Sequence, residues 1–391
     1  MVTGTIIGGG MIILPAIIGI YGFYSALGIL VSVWLLNTGI ALIFLEANFY
    51  LPPKTSLISM SKRLLGPYGE SAAWVICLIF LYTIICAYTT GMAEIIGGLL
   101  EINLFHVPSI ILSVLSILII SFPIYFGMTL VNIFNRIIVI SMFIAFVALS
   151  ASIVPHIGLG HLLASPIHSP MMALPIVFTS FGFLIIIPSL RSYFEDNIKY
   201  LKISIIVGSF IPLIIYMLWV AVVMAAIPAV GKDSLQVIVT QSEPIKYMAK
   251  ILILHTGNFK ISIFIQVFML FALMSSFIGI SLGLYDFLSD GFPALQNRLG
   301  KLKLLILTFL PPLIIVLTQN HLFIAALGFA GLMSTILFGL YPVMLVWAGR
   351  YVHNLKTLYR MPGNRLFLLL IVTFALVNIF IELYSLKIKY F

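Results

Sequence analysis

Charge is what this chain has least of. Only 8% of its 391 residues are Asp, Glu, Lys or Arg, where a soluble globular domain carries roughly 25%. So few charges cannot cover a water-facing surface, which excludes an ordinary soluble domain. Acidic residues are the scarcer sign, 11 against 20 basic ones, for a net charge of +9. That excess does not point to nucleic acid, because the Lys and Arg residues are scattered through short segments and build no basic face. Cysteine is nearly missing too. Cys77 and Cys86 stand nine positions apart on one predicted helix, too far to bridge at about 1.5 Å of rise per residue, so both are expected to be buried packing residues. Metal-site spacings are absent as well. His156, His161 and His168 fall in one predicted outer loop, but their intervals match no ligand pattern, and no helical H-x-x-x-H or paired intramembrane acids occur. No catalytic residue, metal or cofactor is therefore assigned, and the chain is not read as an enzyme.

What is present is hydrocarbon. Apolar side chains make up 62% of the sequence, in repeated runs long enough to span a bilayer, and only a helix satisfies its own backbone through that depth. Eleven spans are predicted, at about 1–21, 27–50, 71–99, 107–126, 133–154, 171–190, 202–229, 261–288, 302–318, 322–348 and 365–386. No charged n-region or A-x-A site follows Met1, so the first span is expected to be retained. A surface helix is expected near 243–254. The lipid bilayer is the one certain partner, and nothing indicates an oligomeric state.

With a cytoplasmic N-terminus, all but six of the 20 Lys and Arg residues fall in internal loops; the six are Lys232, Lys246, Lys250, Lys260, Lys387 and Lys389. The positive-inside rule then favours N-in and C-out, with the C-terminus periplasmic in a bacterial inner membrane. Spans 1–5 (residues 1–154) and 6–10 (171–348) run in opposite senses, so two five-helix units joined directly are inverted relative to each other, and 365–386 is an added span. Each unit opens on a broken helix: "GGGMIILP" at 8–15 and "TSFGFLIIIP" at 179–188, with a proline at Pro15 and Pro188 beyond the glycine. Matching Gly/Pro-interrupted segments in two halves point to a midplane binding site. The alternative for Gly8, Gly9 and Gly10 is close helix packing, although three glycines cost roughly 1 kcal/mol each in helix propensity. A nucleotide fingerprint is excluded, since there is no G-x-G-x-x-G and no preceding strand. A channel is the rival from another class; discontinuous helices in both halves favour a carrier.

At these residues the sequence resembles the tyrosine- and tryptophan-specific carriers of the bacterial hydroxy and aromatic amino acid permease family. The stretches that carry the resemblance are "GTIIGGGMIILP" (4–15), "FLEANFYLP" (44–52), "FTSFGF" (178–183), "SSFIGISLGLYDFLSD" (275–290), "LTFLPP" (307–312) and "ALGFAG" (326–331). It implies an inverted-repeat, all-α fold like that of the bacterial leucine transporter and cation-coupled uptake of an aromatic amino acid, tyrosine first and tryptophan next. It also frames the site. Amide groups at Ile7, Gly8, Gly9 and Gly10 would hold the carboxylate at a helix N-terminus, and carbonyls around Phe178, Thr179 and Ser180 the ammonium. Phe181, Phe183 and Tyr88 are candidates for a ring-lined pocket. Ser275 and Ser276 could cage a hard cation, or simply bond helix to helix.

Four carboxylates lie within spans, where ionisable groups are functional candidates by default: Glu46, Glu94, Asp286 and Glu382. Glu46 and Asp286 fall in family-like stretches and are assigned to cation coupling, with Arg136 as a neutralising partner; Glu382 is expected to be an exposed end residue. Three departures from the family pattern bear on this reading. Met142 stands where some relatives carry a lysine, which leaves the coupling ion open between H+ and Na+. Leu184-Ile185 replace a frequent His-Gly after "FGF", removing a polar contact near the substrate or gate, so a sodium-coupled carrier of another neutral amino acid is the alternative. Only seven residues precede Gly8, so either the natural start lies further upstream or the inner half-helix is short and the inner gate altered.

Overall fold

The computed structural model describes residues 2–53, 55–101, 107–153, 170–257, 259–292, 298–319 and 323–390. The loop histidines His156, His161 and His168 lie outside the described residues, as does Lys54. Among the described residues the regular elements are all helical, and ten helices are long and apolar enough to cross a bilayer.

The first predicted span is two pieces, α1 (Val2–Ile6) and α2 (Gly9–Gly19), separated by Ile7 and Gly8. The chain continues as α3 (Phe23–Phe49), α4 (Leu57–Glu101), α5 (Ser109–Phe126) and α6 (Met128–Ile153). The sixth span is again two pieces, α7 (Leu174–Ser180) and α8 (Ile187–Tyr193), joined through Phe181–Phe183 and a 3-10 turn at Leu184–Ile186. Then follow α9 (Ile198–Ala226), the short α10 (Leu235–Thr240) and α11 (Pro244–Thr256), α12 (Phe259–Gly291) and α13 (Arg298–Thr318). The tenth span runs through α14 (Phe323–Ser334), a π-helical turn at Thr335–Leu340, α15 (Tyr341–Trp347) and a second π turn at Ala348–Val352. The last helix is α16 (Arg365–Tyr390).

The third span starts earlier than the hydrophobic run suggests. Leu57–Leu65 is already helical, and the interruption falls at Gly66, whose φ of +81° suits glycine, followed by Pro67 without an N–H. That polar, proline-interrupted lead hid the helix start from hydropathy.

Sequence periodicity explains which faces turn inward. On α6 the buried residues Ile138, Met142, Ala145 and Leu149 recur at helical spacing, while Ile133, Ile137, Ile140, Ile144 and Val147 form an equally apolar exposed stripe. A helix apolar on both faces fits only where the outer solvent is hydrocarbon. By contrast α2 is buried in every residue except Gly10, and it packs against α3, α7, α9, α10, α11 and α12. The broken first span is therefore the centre of the bundle. At one end α10 and α11 lie over it: Leu235 presses on Gly19, and the buried face of α11 includes Ile245, Met248, Ala249 and Leu252. The surface helix expected near 243–254 is α11, closed at Gly257 in the left-handed conformation (φ +61°).

Candidate functional site

The three glycines of the first break are each approached by a different helix. A Cβ on Gly8 would fall on the Ser276 hydroxyl of α12; one on Gly9 would stand 2.6 Å from Cε1 of Tyr88 on α4; one on Gly10 would stand 2.6 Å from Oγ of Ser180 on α7. Glycine is required here for close approach. Dihedral freedom is not the reason, because Gly8 is extended (φ −167°, ψ −160°) and any residue adopts that backbone. Six expected site residues, Gly8 through Gly10, Tyr88, Ser180 and Ser276, thus meet at one place. The Tyr88 ring meets Phe277 edge-on at 6.0 Å.

The helix ends supply the polar groups. At the start of α2 the first N–H groups have no intrahelical acceptor, and the Met11 N–H turns back to Gly8 at 3.0 Å. On the other side of each break, carbonyls are released. Tyr216 of α9, fully buried, reaches both: its hydroxyl lies 2.6 Å from the Ile6 carbonyl and 2.8 Å from the Ser180 carbonyl. One phenolic proton serves two acceptors, so Tyr216 ties the end of α1 to the end of α7. Its ring rests against Phe181 at 5.1 Å. Sequence reasoning missed Tyr216, yet a signal existed. Ser209, Tyr216 and Trp219 share the buried face of α9, and Trp219 reaches back to the Ile12 carbonyl at 3.4 Å.

The second break differs from expectation in detail. The Phe178 and Thr179 carbonyls accept from Phe181 and Gly182 at 3.2 and 2.9 Å within the turn, leaving Ser180 as the carbonyl that faces the first break. The Phe178 ring packs toward Phe374 of α16, and the Thr179 hydroxyl is 2.8 Å from Ser334 of α14. Neither side chain points into the break. Phe181 and Phe183 are fully buried, as is Ile7 to within 2%. Ser275 is not paired with Ser276 in role: it donates to Asn135 of α6 at 2.8 Å. Met142 is buried on α6.

The carboxylates correct the sequence expectations most. Glu46 does not meet Arg136, which is exposed; its partner is Arg350, from the second π turn of the tenth span. Arg350 Nε donates to Oε1 at 2.7 Å, with Nη2 on Oε2. The Tyr50 hydroxyl adds a bond at 2.6 Å and the Met361 N–H another at 2.7 Å. A carboxylate so occupied holds no free oxygen for a coupling cation. Asp286 is exposed on α12. Glu382, expected to be exposed, is buried against Gly328 of α14. Glu94 is buried with one oxygen, Oε1, unpartnered, while Oε2 accepts from the Ile245 N–H at 3.2 Å. Cys77 and Cys86 are free and buried, as their spacing required.

Beside Glu46, Arg191 of α8 clasps the C-terminal end of α3. It donates to the carbonyls of Asn48 and Leu51 (2.8 Å to the latter), pairs with Asp196 at 2.6 Å and lies 4.4 Å over the Phe49 ring. Tyr359, in the loop before α16, meets the same Phe49 ring. Burial, with Glu46 nearby, pushes its phenol up to about 12, so it stays neutral. One end of α3 is thereby fastened to the second half of the chain at two points.

Residues 1–382 match the model of the tryptophan/tyrosine permease family. The tyrosine-specific transport system 1 of Haemophilus influenzae is 32% identical over 375 residues, covering 95% of this chain and 92% of that one. The tryptophan-specific transport protein of the same organism is 26% identical over 392 residues (97% and 93%), and the low affinity tryptophan permease of Escherichia coli 29% over 360 (90% and 86%). Among solved structures, the nucleobase-cation-symport-1 family transporter Mhp1, in a closed conformation with bromovinylhydantoin, superposes with a TM-score of 0.64 at 13% identity, covering 99% of this chain and 90% of that one. MhsT in complex with L-phenylalanine gives 0.64 at 12% identity (98% and 96%). Both are transporters of the leucine-transporter type, and at such low identity they speak to the fold alone. They bear out the all-helical architecture expected from the sequence. By the match along nearly its whole length, the chain belongs to the tryptophan/tyrosine permease family.

Proposed function

We propose that this chain is a secondary carrier that imports an aromatic amino acid, tyrosine first and tryptophan next, by cation symport. The substrate sits between the two broken spans. Its carboxylate takes the N–H groups of Gly9 and Gly10 at the start of α2, where the helix dipole favours an anion, and its ammonium takes the Ile6 and Ser180 carbonyls in exchange for the Tyr216 hydroxyl. Phe181, Phe183 and Tyr88 furnish the ring-lined wall. Alternating access follows if residues 1–154 and 171–348 act as inverted halves that rock about this point, with 365–386 an added span. The proton is the first coupling ion to test and sodium, near Ser276, the second. The protein is placed in a bacterial inner membrane with its N-terminus cytoplasmic and C-terminus periplasmic.

The observation that supports this reading most is the convergence of α4, α7 and α12 on Gly8, Gly9 and Gly10. Packing alone would need one small residue per contact, whereas here two unwound backbones also face each other across Tyr216.

Labelled tyrosine and tryptophan uptake into proteoliposomes tests it, with pH and sodium gradients varied separately. Saturable uptake with counterflow is expected, and flux without saturation or exchange would sink the carrier reading in favour of a channel. Gly9→Leu drives a side chain into Tyr88 and is expected to abolish binding while the protein still inserts; normal uptake by this variant would remove the site assignment.

A further inference from the structure

Phe338, in the first π turn of the tenth span, has two sets of neighbours. Toward the second break, a Cβ on Gly182 would lie 3.9 Å from its ring. Phe338 also lines a cavity of about 250 Å³, with Phe44, Cys77, Leu184, Ile185 and Phe287 among the walls. The cavity begins where the break ends, since Leu184 and Ile185 follow directly on Phe183. Phe80 meets Phe338 edge-on at 5.3 Å, and Phe80 sits on α4 two turns before Tyr88. The Phe80 and Phe338 rings therefore link the cavity wall to the helix that carries Tyr88.

The lining chemistry specifies an occupant. An apolar cavity of about 150 Å³ is enough to bind benzene, so this one has room for a phenol or an indole. Ring edges and aliphatic side chains form its body, while Ser56 and Ser189, both exposed, stand at the rim. An apolar ring with a polar tip, a phenol O–H or an indole N–H, matches that distribution. Leu184 and Ile185, noted in the sequence for the polar contact they remove, make one wall apolar.

We propose that this cavity is a ring-binding subsite, which takes the aromatic side chain of the transported amino acid after it leaves the two breaks, with the Phe338 ring as the movable wall between. The inference rests on the carrier reading for its cargo. The subsite itself is a property of the cavity.

The test puts a thiol at the rim, where reagent can reach it, because a buried thiol is inert. In a Cys77→Ser/Cys86→Ser/Ser189→Cys variant the exposed position 189 carries the one cysteine, and its rate of modification by N-ethylmaleimide in proteoliposomes reports on occupancy. Indole, which has neither carboxylate nor ammonium and so gains nothing from the open backbones, is the first probe; tyrosine and tryptophan are the second. At about four times its dissociation constant each is expected to slow modification about fivefold, and leucine to leave it unchanged. Equal rates with and without both rings would overturn the proposal, as would equal protection by decane, which would make the occupant a lipid chain. If indole protects but wild type carries no aromatic amino acid, the ring subsite stands and the carrier reading falls. A second variant, Leu184→Trp, fills the cavity from its wall: uptake is expected to fall about tenfold with equilibrium tyrosine binding retained, and unchanged uptake would overturn the proposal.

Discussion

Glu46 and Glu94 are both buried carboxylates in apolar helices, and the structure treats them in opposite ways. Glu46 is fully enclosed and receives donors from Tyr50, from two nitrogens of Arg350 and from the Met361 backbone. Glu94 has one backbone donor, Ile245, and an oxygen with no partner. It borders a second cavity, of about 330 Å³, whose other charged groups, Glu243 and Lys246, pair with each other at 3.1 Å. The difference shows that depth alone does not assign a role. Glu46 is a structural fastening of α3 to the tenth span and to the loop before α16, because a buried charge is tolerated when its lone pairs are filled. Glu94 keeps unspent hydrogen-bonding capacity at the end of the bundle covered by α11.

Three substitutions press on that comparison. Arg350→Ala should have the largest effect, since it leaves Glu46 enclosed without its cation, a loss of about 3–5 kcal/mol; a thermal unfolding midpoint in detergent close to wild type would break the contrast. Tyr50→Phe removes one donor from a charged acceptor and should cost about 1.5 kcal/mol, read in the same assay, with the ring contact to Gly349 kept. Smallest is Glu94→Gln, expected to cost less than about 1 kcal/mol, because the amide oxygen still accepts from Ile245 and no ion pair is broken. If Glu94→Gln destabilises as much as Arg350→Ala, the two carboxylates are not different in kind.

Part of the site could be read from the chain. The breaks at 8–10 and 179–183 announce themselves by glycine within apolar runs, and the residues that meet there include the expected Tyr88, Ser180 and Ser276. Tyr216 escaped because one hydroxyl among 17 tyrosines carries no local mark of which carbonyls it will reach. In the sequence Arg350 is only a topology signal, and neighbouring motifs give Asp286 and Ser275 roles at the site; the fold leaves Asp286 exposed and turns Ser275 toward Asn135.

The sequence by itself determined the membrane setting, the order of the spans, where two of them unwind and the family. Those properties depend on composition and on neighbours a few residues apart, through hydropathy and the conformational habits of glycine and proline. Only the tertiary structure decided which polar groups are partners. Glu46 and Arg350 are separated by 304 residues, and Tyr216 and Ile6 by 210. Such pairs are chosen by how helices pack, and in a chain this apolar the helix faces look alike until the packing is known.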